Sequence, residues 1–197
     1  MAGLDKALKV LLVDDSPERT DILRSALELA GYAVAATLES PLELLQAVEA
    51  HRPDIIIIDT DSPSRDVLEH VVMVSRDQPR PIVMFSSDGA SDSIRNAVRA
   101  GVSAYIVDGL DAGRVKGIVE VAVARFEEYQ KLVAELAEAN LKLSERKLVE
   151  RAKGILMKSR NMTEDEAYKA MRSLAMSRKK RLGEVARMVI DMADIIG

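Results

Sequence analysis

Three aspartates stand at the ends of apolar runs in the first third of the chain. Asp14 and Asp15 directly follow "KVLLV", and Asp59 directly follows "DIIII". If these runs are parallel strands, their carboxyl ends meet at one edge of a sheet, and the three carboxylates converge there. Clustered like charges repel one another unless protons or a cation neutralise them. The spacing therefore predicts a Mg²⁺ site, because oxygen ligands suit this hard cation.

Two side chains could carry chemistry at such a site. With a metal ion beside it, the Asp59 carboxylate could attack a phosphoryl donor as a nucleophile. Ser86 follows another apolar run, "PIVMF", and could hydrogen-bond a phosphoryl oxygen. The alternative is a set of ordinary solvated loop acids, which explains one such position easily but not all three. The residues are thus compatible with phosphoryl transfer to Asp59.

The elements that must position these residues alternate along the first 125 residues. Apolar runs predict five strands, at 9–13, 32–37, 54–58, 81–85 and 103–107, and amphipathic helical patterns separate them. One such helix opens with Pro17 and closes with Gly31, the usual placement of these two residues at helix ends. The alternation predicts an α/β fold with a five-stranded, doubly wound parallel sheet. We place this domain at residues 1–117.

A heptad pattern occupies residues 118–144, which contain neither proline nor glycine. Its a and d positions are apolar apart from Asn140, and a buried Asn at an a position fixes register and strand number. The pattern predicts a coiled coil between two copies of the chain. Its seam would comprise Val119, Ala122, Phe126, Tyr129, Val133, Leu136, Asn140 and Leu143. The alternative is a long helix packed on its own domain.

Residues 145–197 have the pattern of a small all-α domain of three short helices. The first covers about 145–159, "TEDE" at 163–166 is a capping box that begins the second, and the third follows the basic run 178–181. From residue 146 onward the segment holds 13 Lys and Arg against 7 Asp and Glu, whereas the whole chain has a net charge of −4. This asymmetry predicts that the rear of the chain faces a polyanion. The alternative is a basic surface without a partner.

Composition narrows the function classes. The chain has no cysteine and only two histidines, which excludes disulfides and thiolate zinc sites and disfavours a histidine-rich metal centre. No window reaches the ~18 apolar residues of a membrane span, and the N-terminal apolar run is too short for a signal peptide. We therefore expect a cytoplasmic protein with no membrane partner. The basic segment has one aromatic residue, Tyr168, which disfavours base stacking on a sheet surface.

Residues 8 to about 125 resemble the receiver domain of two-component response regulators. The resemblance rests on "LLVDDSPERTDILRSAL", "PDIIIID", "IVMFSS" and "GVSAY". It implies that Asp59 is the phosphoacceptor and that Ser86 and Tyr105 form a switch pair that couples the pocket to the output. The implied Mg²⁺ ligands are Asp14, Asp15, Asp59 and the carbonyl of Asp61.

One departure from the receiver pattern lies just beyond the fifth strand. Receivers usually carry a lysine followed by a proline there, and the lysine ammonium pairs with the phosphoryl group. This chain has Asp108 and Gly109 instead. A carboxylate beside an incoming dianion is electrostatically unfavourable. We therefore count Asp108 with the switch residues and expect control by a partner protein rather than by phosphorylation of Asp59.

Residues 144–194 closely resemble the ANTAR domain, the RNA-binding output of transcription antitermination regulators. The core "AKGILM" is the most specific part of the match, and the order of domains is similar to that of NasT/AmiR-type antiterminators. The resemblance implies a dimeric, non-enzymatic regulator that binds paired hairpins in leader RNA, prevents termination and is sequestered by a nitrate- or nitrite-sensing protein. The implied RNA-binding residues are Ala152, Lys153, Gly154, Met157, Arg172, Ala175, Ser177 and Arg178. For Met157 and Ala175 a core position is the stronger alternative.

Gly154 interrupts a helical pattern, where glycine costs roughly 1 kcal/mol relative to alanine. We interpret it as a place where a missing side chain lets RNA approach the helix beside Lys153. The alternative is that the glycine serves helix packing.

Three other classes of function are considered. A basic three-helix unit is also compatible with helix-turn-helix DNA binding, which would make the chain a DNA-binding response regulator activated by aspartyl phosphorylation. A phosphatase or phosphotransferase could use the same carboxylates, but no general base or leaving-group acid stands out. A pure dimerisation scaffold would leave the basic rear unexplained.

Overall fold

The computed structural model describes residues 7–14, 16–107 and 113–196. The chain divides into two compact units, a first unit of Met1–Gln130 and a second unit of Lys131–Gly197. No helix within the described ranges is long and apolar enough to cross a membrane.

The first unit alternates strands and helices, as the apolar runs predict. Neighbouring strands are all parallel, and their order in the sheet is β2-β1-β3-β4-β5. The strands are β1 (Lys9–Asp14), β2 (Ala33–Leu38), β3 (Ile55–Thr60), β4 (Ile82–Ser86) and β5 (Ala104–Val107). The helices are α1 (Pro17–Leu29), α2 (Leu44–His51), α3 (Arg65–Asp77), α4 (Ser91–Ala100) and α5 (Val115–Arg160), and a short 3₁₀ turn at Pro41–Glu43 precedes α2. The five-stranded doubly wound sheet is confirmed.

Helices cover both faces of this sheet, which explains the unbroken apolar runs of its strands. Successive residues of a strand point to opposite faces. Ile56 and Ile58 of β3 accordingly pack in the cluster under α2, α3 and α4, whereas Ile55 and Ile57 pack in the cluster under α1 and α5. All four side chains are buried. A strand buried on both faces reads as a continuous hydrophobic run rather than an alternating one.

The first turns of α5 belong to this core, which corrects part of the predicted dimer seam. Val119 and Ala122 are fully buried in the cluster beneath α1 and α5. Their assignment to a seam between two copies is wrong, because the sheet of their own unit already covers them. Phe126 is half-buried. The predicted linker at 118–144 thus begins inside the first unit, which extends to Gln130.

The second unit comprises the rest of α5 together with α6 (Glu164–Arg178) and α7 (Leu182–Ile196). The predicted coiled-coil segment and the predicted first short helix are one continuous helix that ends at Arg160. The capping box at the start of α6 is confirmed, with Thr163 and Glu166 bonding to each other's backbone N–H. Helix α6 is followed by its C-cap residue, Lys179, whose φ of 51° is left-handed. The unit packs around Ala152, Met171, Ala175, Val185, Ala186 and Ile190.

Candidate functional site

The carboxyl ends of β1 and β3 bring two of the predicted acids together. Asp14 and Asp59 are register partners across these neighbouring strands. The Asp14 side chain is fully buried and that of Asp59 is 10% exposed, whereas Asp61 is largely exposed on the loop that follows β3. The predicted convergence of Asp14 and Asp59 is confirmed. Asp15 lies outside the described residues.

An arginine that the sequence patterns did not single out lies among these carboxylates. Arg19 places Nη1 2.7 Å from Asp61 Oδ1, Nη2 3.4 Å from Asp14 Oδ1 and Nε 3.7 Å from Asp59 Oδ2. The hydrogen bond to Asp61, reinforced by the charges of Asp59 and Asp14, raises the pKa of Arg19. One guanidinium therefore lies among carboxylates from three segments of the chain and offsets part of their negative charge.

The sequence did contain a signal for this arginine. Arg19 lies in the first turn of α1, where the helix macrodipole disfavours a positive charge. A cation at such a position is best explained by nearby acids that outweigh the dipole, and the acidic pair just before the helix suggests which ones.

Within the described residues the acids do not form a complete metal cage. Asp14 Oδ1 accepts a hydrogen bond from the Ser16 backbone N–H at 2.9 Å, while Asp14 Oδ2 is buried without a hydrogen-bond partner there. No group of three acidic or histidine side chains in the described ranges has an arrangement that could hold a metal ion. Asp14 and Asp59 are the candidate ligands that this part of the chain offers to Mg²⁺.

The carbonyl of Asp61 faces two hydroxyl groups. Ser86 Oγ and Ser87 Oγ each donate a hydrogen bond to it at 2.9 Å. Ser86 is buried at the end of β4, and its Oγ also accepts a hydrogen bond from the Asp88 backbone N–H at 3.1 Å. The Ser86 hydroxyl thus ties the loop after β3 to the loop after β4.

The two described residues of the predicted switch, Ser86 and Tyr105, meet at Asp88. Tyr105 is half-buried on β5, and its hydroxyl donates to the Asp88 carbonyl at 2.7 Å. Ser86 contacts the N–H of the same residue. The Asp88 carboxylate accepts hydrogen bonds from Ser93, Ala90 and Ser62, and these bonds lower its pKa. Asp88 was not predicted, and Asp108, the third predicted switch residue, lies outside the described residues.

In the second unit, Lys153 is an internal ion-pair partner rather than an exposed cation. The residue is 8% exposed. Its Nζ lies 2.6 Å from Glu164 Oε1 and 2.9 Å from Glu150 Oε1. These hydrogen bonds, the one to Glu164 first, raise the pKa of Lys153, and Lys153 in turn lowers the pKa of Glu164. The prediction that Lys153 contacts RNA is corrected, because two carboxylates already engage its ammonium.

The other predicted RNA-binding residues divide into core and surface. Ala152 and Ala175 are buried in the core of the second unit. The prediction of Ala152 as an RNA contact is therefore wrong, whereas the core position that was the stronger alternative for Ala175 is confirmed. A side chain at Gly154 would meet open space. The Ser177 hydroxyl donates to the Leu174 carbonyl at 3.0 Å. The predicted residues that remain exposed are Met157, Arg172, Ser177 and Arg178.

Four consecutive cations comprise Arg178, the last residue of α6, and residues 179–181 of the turn before α7. We call the segment 178–181 the basic turn. All four residues are exposed. None of them forms a salt bridge within the described part of the chain, whereas Lys153, Arg151 and Lys142 of the same unit do. The basic turn is therefore the densest cluster of uncompensated positive charge in the described second unit.

Family models match both parts of the chain. Residues 10–120 match the response regulator receiver domain, and residues 137–190 match the ANTAR domain. The transcriptional regulatory protein PdtaR of Mycobacterium tuberculosis is 32% identical over 183 residues, which cover 93% of this chain and 89% of PdtaR. The chemotaxis protein CheY of Listeria monocytogenes is 28% identical over 116 residues, which cover 58% of this chain and 98% of CheY.

Solved receiver domains share the fold of the first unit. The signal receiver domain of a modulated diguanylate cyclase from Desulfovibrio desulfuricans G20 matches with a TM-score of 0.56 and 22% identity, over 63% of this chain and 99% of that domain. A LuxR-family two-component response regulator from Aurantimonas sp. SI85-9A1 matches with a TM-score of 0.55 and 26% identity, over 60% of this chain and 86% of that one. The family matches and the similarity to PdtaR show that the chain belongs to the response regulators in which a receiver domain is followed by an ANTAR domain.

Proposed function

We propose that this response regulator is an RNA-binding transcription antiterminator. The observation that carries the proposal is the basic turn at 178–181, whose exposed side chains have no salt bridges within the described residues. Cations of this kind bind a nucleic-acid backbone by releasing its condensed counterions. The ANTAR match covers this turn. The expected ligand is leader RNA with two adjacent small-loop hairpins, and binding to it prevents terminator formation.

The surface of α5 around Gly154 is the second part of the proposed RNA contact. Gly154 leaves open space beside the helix, and Met157 is 39% exposed one turn further on. Lys153 supports this surface from within through its bonds to Glu150 and Glu164. In this proposal Arg172 and the basic turn supply positive charge for the RNA phosphates, and Gly154 leaves room for a base of an RNA loop or for the RNA backbone.

A dimer is the proposed active form. In the single chain, α5 carries a row of exposed apolar side chains, among them Tyr129 at 63%, Leu136 at 63% and Leu143 at 53% exposure. Val133, also exposed, shares their heptad frame. A second copy of the helix would cover this row. Two RNA-binding domains on one dimer would then hold two adjacent hairpins at a high effective concentration.

The receiver is proposed to act as a docking site for a sensor protein rather than as a phosphorylation switch. Arg19 already contacts Asp59, and this part of the proposal predicts that Asp59→Asn leaves regulation largely unchanged. A constitutively inactive Asp59→Asn protein would favour phosphorylation instead. The resemblance to NasT-type regulators makes a nitrate- or nitrite-sensing inhibitor the partner to test first, and a nascent-RNA target implies action in the cytoplasm.

Filter binding of the full chain tests the RNA proposal directly. The probes are a pool of RNAs that carry two adjacent hairpins with randomised small loops, and duplex DNA of matched length, each across a range of salt concentrations. Wild type should prefer the RNA. A protein that prefers duplex DNA at moderate salt would instead be a DNA-binding response regulator.

A charge variant tests the role of the basic turn. Arg178→Gln combined with Lys180→Gln should lower RNA affinity and reduce the slope of log K against log salt by about one for each phosphate that is no longer neutralised. The matched control combines Arg65→Gln with Arg95→Gln, two exposed arginines that pair with Glu69 and Asp92 in the receiver. An unchanged slope in the basic-turn variant would exclude this turn as the RNA contact.

A further inference from the structure

Arg19 brings its guanidinium to the position where the receiver pocket would hold a divalent cation. It contacts Asp14 at the end of β1, Asp59 within β3 and Asp61 on the following loop. A Mg²⁺ ion in the same pocket would need oxygens of this set as ligands. Two cations that share these oxygens would repel each other and compete for the same lone pairs. We propose that Arg19 is a built-in counter-ion that replaces Mg²⁺ in this receiver.

A second and independent observation concerns the carbonyl of Asp61, the backbone ligand that the receiver resemblance implies. It accepts hydrogen bonds from both Ser86 Oγ and Ser87 Oγ at 2.9 Å. A carbonyl oxygen has two lone pairs, so these two hydroxyls fill its usual acceptor capacity. A metal ion would have to displace at least one of them in addition to the guanidinium. In the described arrangement Mg²⁺ therefore has to compete with Arg19 and the two serine hydroxyls for the oxygens that they contact, although Asp14 Oδ2 accepts no hydrogen bond there.

The geometry of arginine explains how one side chain can take the place of an ion. The planar guanidinium offers five donors in a fixed fork and keeps its charge at all physiological pH values. Arg19 donates hydrogen bonds from Nη1 to Asp61 and from Nη2 to Asp14, and its Nε lies at an ion-pair distance of 3.7 Å from Asp59 Oδ2. A lysine at the same position would have one compact ammonium and could not reach all three acids in this manner.

Two properties of the receiver follow from this substitution. The guanidinium offsets part of the negative charge at the ends of β1 and β3 as soon as the domain folds, so we expect the stability of the domain to be independent of metal. Asp59 is engaged by a side chain of its own domain, which agrees with control by a bound protein. The inference concerns the receiver pocket alone and holds whether the second unit binds RNA or not.

Titration of the full chain with Mg²⁺ by calorimetry, together with melting temperatures with and without millimolar Mg²⁺, tests this inference. Wild type should show weak Mg²⁺ binding and an unchanged melting temperature. Arg19→Met removes the competing cation and should bind Mg²⁺ at least about tenfold more tightly, since a charge-assisted contact contributes roughly that factor. This variant should melt at a lower temperature without metal and recover when Mg²⁺ is added.

Arg19→Lys keeps a positive charge but replaces the planar guanidinium with a compact ammonium. It provides a second test of the inference in case Arg19→Met does not fold. It should fold and bind Mg²⁺ with an affinity between those of wild type and Arg19→Met. Arg95→Met is the control, because Arg95 is an exposed receiver arginine that pairs with Asp92 outside the pocket. The control should behave like wild type. Wild type that binds Mg²⁺ as tightly as Arg19→Lys would overturn the inference, and so would a folded Arg19→Met protein with no gain in affinity.

Discussion

The ammonium of Lys153 lies 2.6 Å from the carboxylate of Glu164 and thereby joins the last part of α5 to the first residue of α6. A bond from the same ammonium to Glu150, one turn back on α5, holds it in place. The lysine of the "AKGILM" core thus organises the second unit from inside.

Lys153→Met should destabilise the second unit. Methionine retains an apolar stem of similar length but leaves Glu164 and Glu150 without their cation, so both acids lose a charge-assisted hydrogen bond. We expect a melting temperature a few degrees below wild type, measured by calorimetry. Lys158→Met is the control, because Lys158 is exposed on the same helix and forms no salt bridge within the described residues. Equal melting temperatures for the two variants would contradict a structural role for Lys153.

The contribution of this ion pair should depend on pH in a defined direction. The hydrogen bond to Lys153 lowers the pKa of Glu164 from its ordinary 4.5. The stability that ionised Glu164 contributes to the fold is therefore complete above pH 4.5 and is lost as the pH falls through the lowered pKa. The hydrogen bonds to Glu164 and Glu150 raise the pKa of Lys153 from 10.5. The stability that the charged ammonium contributes to the fold is therefore complete below pH 10.5 and is lost as the pH rises through the raised pKa. The difference in melting temperature between wild type and Lys153→Met should therefore be largest between these limits and shrink in acid. A difference that grows in acid would point to another origin.

Gly154→Ala separates helix stability from RNA contact. An alanine Cβ at this position meets open space, so the substitution should stabilise α5 by roughly 1 kcal/mol in chemical denaturation. If RNA approaches this surface, the same methyl group should weaken hairpin binding. Gly117→Ala is the matched control, because Gly117 lies in the first turn of the same helix with equally open surroundings. It should leave RNA affinity unchanged. Normal RNA binding by Gly154→Ala would show that RNA does not contact this glycine.

Leu136→Lys tests the dimer. Leu136 is 63% exposed at a d position of the heptad frame, whereas Leu141 is 61% exposed at a b position outside the seam. Sedimentation of the full chain should show that Leu136→Lys shifts a dimer toward monomer, because a seam position would bury the new charge. Leu141→Lys should leave the association unchanged. An equal effect of both substitutions would exclude this heptad frame.

The receiver sheet could be read from the sequence because its strands are buried on both faces. Unbroken apolar runs such as residues 55–58 favour a parallel strand that is covered on both faces. The acids that follow these runs lie at the carboxyl-terminal edge of the sheet, as predicted. The heptad pattern was less decisive. The spacing of Val119 and Ala122 fits a seam between two helices as well as it fits a helix packed on a sheet. Only the fold shows that the sheet of the same unit covers these two side chains.

The ion pairs could not be read from the sequence in the same way. Lys153 and Arg19 were each one cation among 28 lysines and arginines. Their roles depend on which carboxylates the fold brings near, and those partners lie on other elements, Glu164 on α6 and Asp61 after β3. Ala152 was misassigned because a small residue on a helix suits both close packing and close approach of a ligand. Charge and size alone do not distinguish these cases.

Lys179 reveals a conflict between folding and function at the end of α6. Its left-handed backbone, φ 51°, is a conformation that glycine adopts freely and that costs other residues about 1 kcal/mol. The chain nevertheless has a cation there. A thermostable version of this protein designed on stability alone would carry glycine at this position and would lack one charge of the basic turn. Improvement of the fold and retention of the proposed polyanion contact are therefore opposed at this single residue.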